Sequence, residues 1–122
     1  GTYTFFSQAV LGNKTQSSNV TQLTSDGLVA VNVSRDPNAI GYVGLSHSGA
    51  GSGVKKLTIG GVPCDTGHIR NESYPLFRYI WSVIPNNRAS TQVEKFLDWV
   101  RTNKQAGTVI SKSGAVPAFN KR

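Results

Sequence analysis

Cysteine is nearly absent: Cys64 is the single one in 122 residues. No disulfide can form within the chain, and no multi-cysteine zinc site can be built. One cysteine does not fix the compartment, because a secreted protein with a sufficient core can do without disulfides. Acids are scarce as well, six Asp+Glu against thirteen Lys+Arg. They are scattered, and no pair is placed for acid–base work. Histidine occurs only at His47 and His68. Both are read as non-ligating, so neither a metal site nor a cofactor is expected. No apolar run reaches about 18 residues, so no membrane-spanning segment is expected. The opening Gly1-Thr2-Tyr3-Thr4-Phe5-Phe6 lacks a basic n-region, so no signal peptide is read there.

What the chain does carry is positive charge, +7 in all. Such a balance invites an anionic partner: nucleic acid, acidic lipid or a small oxyanion. The charge is spread out, and the adjacent basic pairs are Lys55-Lys56 and Lys121-Arg122. A binder of the phosphate backbone usually concentrates its cations on one helix or stripe. A basic module for nucleic acid or acidic surfaces, with no small-molecule ligand, is therefore kept as the alternative reading.

Thirteen Gly and five Pro imply many turns. Phe5, Phe6, Ala9 and Val10 fall at helical spacing, with Thr2 to cap the start and Gly12 to stop the helix. Residues 27–33 suit a short amphipathic helix or a strand and lean to helix, and Asp36-Pro37-Asn38 marks a turn. Residues 39–45 read as a buried strand whose glycines allow close backbone approach. Residues 55–59 read as a strand leading into a Gly60-Gly61 hairpin turn. Residues 65–73 suit one helical turn. Residues 75–85, rich in aromatic and β-branched side chains, suit a central strand ended by Pro85-Asn86-Asn87. A helix is predicted from about 91 to 104. Thr91 and Glu94 would form its capping box and Gly107 would close it, with residues 109–110 and 115–117 extended after it. Mixed strands and helices make the expected class α/β.

No motif supports catalysis. Gly49-Ala50-Gly51-Ser52-Gly53-Val54-Lys55-Lys56 fails the phosphate-loop spacing, because neither lysine follows a glycine. Ser46, His47 and Ser48 offer hydrolase residue types without a nucleophile elbow. Cys64 lacks an evident activating base. The sequons at Asn13, Asn19, Asn32 and Asn71 are read as compositional. No catalytic residue is assigned, and no enzyme is expected. Gly1-Thr2 directly before a helix is the most informative local feature. The first helical amides are unpaired and partly positive, and a small residue with a hydroxyl there makes an oxyanion seat.

Several stretches, in order, resemble one family. Gly1-Thr2-Tyr3-Thr4-Phe5-Phe6 with Ala9-Val10-Leu11-Gly12 resembles the segment after the Ser-Gly-Thr motif of phosphate ABC-transporter substrate-binding proteins. Asp36-Pro37-Asn38-Ala39-Ile40-Gly41-Tyr42-Val43 and Leu57-Thr58-Ile59-Gly60-Gly61-Val62-Pro63 are similar to the stretches that follow in that family. So are Tyr74-Pro75-Leu76-Phe77-Arg78, the run from Val93 to Val100, and Gly114-Ala115-Val116-Pro117. The resemblance implies an incomplete type II periplasmic-binding-protein fold, α/β, with parts of two lobes. Residues 1–41 would belong to the second lobe, and residues 42–122 would hold the hinge strand and the C-terminal part of the first. It implies inorganic phosphate or a similar oxyanion as ligand, with Gly1 and Thr2 as the ligand-binding residues carried over and Arg78 structural. It also implies an ABC permease as partner and a periplasmic or extracellular location. The family's remaining ligands, an Arg, an Asp and the motif Ser, precede the position of Gly1. The chain alone is thus expected to bind weakly, and to pair with an N-terminal half or with a second copy by segment exchange. No specific nucleic acid is expected on this reading.

Overall fold

The computed structural model describes residues 1–85 and 90–118. They form two compact units, Gly1–Lys56 and Leu57–Arg122. The first holds α1 (Thr2–Ala9), α2 (Asp26–Arg35) and a 3-10 turn at Leu45–His47. The second holds α3 (Thr66–Arg70), α4 (Thr91–Thr102) and α5 (Lys104–Lys112). Among the described residues no helix is long and apolar enough to cross a membrane.

In the first unit, α1 is followed by Gly12 and Asn13, both in the left-handed region (φ 57 and 64), which stops the helix. Ser25 caps α2, its hydroxyl accepting the Leu28 amide at 3.2 Å. Asp26 in the first turn and Arg35 in the last suit the helix dipole. The Asp36 carboxylate then accepts the Asn38 amide at 2.9 Å, closing the predicted turn. Ala30 is the buried residue of α2. Gly41 lies so close to α2 that a Cβ there would sit 2.7 Å from Val29 Cγ1 and 3.0 Å from Val33 Cγ2. One residue on, Tyr42 stacks on Phe6 with ring centroids 3.9 Å apart, and its hydroxyl oxygen accepts the Gln16 amide at 2.6 Å.

The second unit begins with a two-residue hairpin. Gly60 and Gly61 take φ of 58 and 81, and Ile59 and Val62 exchange hydrogen bonds at 3.1 and 3.0 Å. Asp65 caps α3. The predicted helix from 91 to 104 is instead two helices that share Asn103 as C-cap and N-cap. The Asn103 side chain accepts the Gln105 amide at 2.8 Å and restarts the helix. Ser90 is the cap of α4, accepting Val93 N at 3.3 Å, so the expected Thr91–Glu94 box does not form. Gly107 does not end a helix. It is buried inside α5 beside Ala106, and residues 109–110 are helical too.

The α/β expectation is overturned. The described residues are helical and contain no sheet; the isolated antiparallel bridge between Ile59 and Val62 is their only strand-like pairing. The segments 39–44, 54–58 and 75–84 lack regular structure. The reason is that β-branched and alternating side chains make a segment fit for a sheet, but a strand exists only with a neighbour to pair its amides. The backbone of residues 80–84 makes no hydrogen bond among the described residues. Its side chains stand in solvent, Ile80 at 88% and Val83 at 93% exposure. The expected end of that strand at Asn86-Asn87, and the basic pair Lys121-Arg122, lie outside the described residues.

Gly41→Ala should lower stability by about 1–3 kcal/mol, the usual cost of overpacking. Gly49→Ala, whose Cβ would meet nothing within 4 Å, should stay within about 0.5 kcal/mol of the parent. Urea denaturation followed by circular dichroism compares the two.

Candidate functional site

Gly1 and Thr2 stand where α1 begins. Gly1 is the N-cap and its carbonyl accepts the Phe5 amide at 3.1 Å. The amides of the following turn have no carbonyl within the helix to pair with, and they carry the positive end of its dipole. Thr2 is the first helical residue rather than the cap, which corrects the expected role of its hydroxyl. That hydroxyl donates to Asp26 Oδ2 at 3.0 Å. The same carboxylate oxygen accepts the Gly44 amide at 2.8 Å. Asp26 therefore ties the start of α1, the start of α2 and the loop at 44 into one junction.

This junction shapes what an oxyanion would meet. It would find the helical amides, but also a carboxylate of like charge and a Thr2 hydroxyl whose proton is already given away. Asp26 was missed in the sequence, where it read as one of six scattered acids. The available signal was its place directly after a capping serine at the start of a helix, where carboxylates recur.

The other candidates separate. Ser48 gives its hydroxyl proton to the Leu45 carbonyl at 2.9 Å and not to His47. Ser52 likewise bonds Gly49 O at 2.6 Å, and the glycine-rich stretch is a turn with Gly51 and Gly53 at positive φ. His68, read as non-ligating, pairs with a single carboxylate: Asp65, three residues earlier, at 2.7 Å. Accepting the His68 amide at 2.9 Å, and then the His68 ring, holds the Asp65 carboxyl below the ordinary carboxylate range. Among the described residues no group of three or more His, Cys, Asp or Glu could hold a metal.

Tyr74 is the buried aromatic of the second unit. Its hydroxyl donates to the Leu57 carbonyl at 3.3 Å. Burial, and then the neighbouring Cys64 thiol, push its phenol up to about 12. Cys64 is half-buried.

Comparison with known proteins gives one relationship. The chain is 30% identical over 100 residues to phosphate-binding protein PstS 2 of Streptococcus agalactiae serotype V, and equally to the protein of that name from serotype III. The aligned stretch covers 82% of this chain and 33% of each relative. The chain thus spans about a third of the length of the curated relatives it matches. No family model matches it, and no solved structure does.

Two outcomes follow from the geometry. Asp26→Ala strands a half-buried hydroxyl and an amide, and should cost about 2 kcal/mol. Thr2→Val should cost about 1 kcal/mol, and the double variant less than the sum, because both act on one bond. Chemical denaturation of the four chains measures this. The Tyr74 phenol is held protonated in the fold above its ordinary value of 10.0. Its contribution to stability is whole below pH 10 and is lost as the pH rises from 10 toward 12. Tyr74→Phe should flatten that part of the alkaline unfolding curve.

Proposed function

We propose that this chain belongs to a solute-binding protein that captures inorganic phosphate, or a related oxyanion, for an ABC importer. The observation that carries the reading is the similarity to phosphate-binding protein PstS 2 along 82% of the chain. On this reading the protein binds and delivers rather than catalyses, and it works with a permease outside the cytoplasm, in the periplasm or at the cell exterior. Gly1 and Thr2 contribute helix-start amides to the ligand.

The chain by itself binds weakly. Charge-assisted hydrogen bonds to an oxyanion are worth roughly 1.5–3 kcal/mol each. A site short of three of them loses on the order of 5–9 kcal/mol, or about 10³–10⁶ in affinity. The Thr2 hydroxyl must also leave Asp26 before it can donate to a ligand.

Titrating the 122-residue chain with phosphate, while following amide chemical shifts, tests both parts. The amides of Thr2, Tyr3 and Thr4 should move, with a dissociation constant near the millimolar range, about 4 kcal/mol of binding. Micromolar affinity would remove the weak-binding claim. Shifts absent from these amides would remove the site.

A further inference from the structure

A second electropositive feature lies in the second unit and shares no residue with Gly1 or Thr2. Between the end of α3 and the flank of α5 runs an open groove of about 460 Å³. Arg70 of α3 and Lys104 and Lys112 of α5 line it. Among the described residues none of the three has an ion pair and no carboxylate lines the groove. Thr108 and Ser111 lie between the two lysines on the same flank. Positions 104, 108, 111 and 112 recur at helical spacing, so they fall on one face. Lys104 and Lys112 are eight residues apart, about 12 Å along a helix.

We propose that this groove binds an extended inorganic polyanion, a short chain of linked phosphoryl groups. A line of cations about 12 Å long is longer than one phosphate can bridge, whereas linked phosphates reach from end to end. Among the described lining residues none is aromatic, so they offer no stacking platform of the kind single-stranded nucleic acid uses. Pro117 supplies the apolar side chain among the described lining residues, too little by itself to hold an acyl chain. Three cations with no acid among them draw an anion electrostatically. Thr108 spends its proton on the Lys104 carbonyl at 3.0 Å, which leaves the Ser111 hydroxyl and the cations as the donors to the ligand.

Sodium tripolyphosphate is the probe, titrated into the 122-residue chain by calorimetry at low salt, beside orthophosphate. Tripolyphosphate should bind about tenfold more tightly than orthophosphate or better, since it gains at least one further charge-assisted contact. The triple variant Arg70→Gln, Lys104→Gln, Lys112→Gln should lose about tenfold or more. A control triple, Lys14→Gln, Lys55→Gln, Lys56→Gln, removes the same charge from the first unit and should lose less than about threefold. In the unaltered chain, amide shifts on tripolyphosphate addition should cluster in residues 104–112, which gives a readout independent of the variants. Equal losses in both triples would reduce the effect to net charge and overturn the site. Equal affinity for orthophosphate would overturn its extended character. A short DNA duplex that binds more tightly through the same three cations would overturn the ligand class in favour of nucleic acid.

Discussion

A buried or half-buried backbone amide has to find an acceptor, and a helix is the structure that supplies carbonyls from within the same segment. That constraint decides which parts of the chain are regular. Segments with a cap and a helical pattern close on themselves: Ser25, Asp65, Ser90 and Asn103 each accept an amide at the start of a helix. Segments built for sheets cannot do this. They are extended or turn-like, with apolar side chains in water, Ile40 at 79% exposed and Val83 at 93%. The Gly60-Gly61 hairpin is the exception that fits the rule. Two left-handed glycines return the chain on itself, so Ile59 finds its partner three residues away.

The same constraint explains why the cores are thin. Ala30, Tyr74, Ala106 and Pro117 are the buried apolar residues among those described, and two of them are alanines on helices. A helix pair such as α4 and α5 can bury small residues at close approach. The larger side chains of α4, Phe96 at 60% and Trp99 at 42% exposed, have no second layer to enter and lean on each other instead. In the first unit, specificity comes more from fitted contacts than from volume. Gly41 lets the backbone reach α2, Tyr42 stacks on Phe6, and Asp26 gathers Thr2 and Gly44.

Local features were legible in the sequence because their causes are local. The α1 and α2 helices, the Asp36-Pro37-Asn38 turn, the glycine hairpin and the close approach at Gly41 all follow from side chains acting on their own neighbourhood. The sheet was not legible in the same way. Residues 79–84 look like a strand by composition, and nothing in their identity says whether a partner strand is present. The break at Asn103 was hidden because helical apolar spacing continues through it, while an asparagine side chain can cap a new helix with little change in pattern. The role of Asp26 was hidden for a different reason. It bonds residues 24 and 18 positions away, and no spacing rule connects a carboxylate to a hydroxyl at that distance.

The acids complete the electrostatic argument. Asp26 is taken by Thr2 and Gly44, Asp36 by the Asn38 amide, and Asp65 by His68. Glu72 accepts the Tyr79 hydroxyl, and Asp98 pairs with Arg101. Five of the six acids are thereby occupied by partners within the fold, most of them by neutral donors. These acids are therefore spent mainly on neutral donors rather than on cations. In the first unit the amides at the start of α1 add to this field, but Asp26 stands beside them and moderates it. Along α5 no acid lines the groove among the described residues, and Lys104 and Lys112 fall on one helical face. The overall +7 is thus not a uniform background. Its strength toward an anion depends on where the few acids have already been spent.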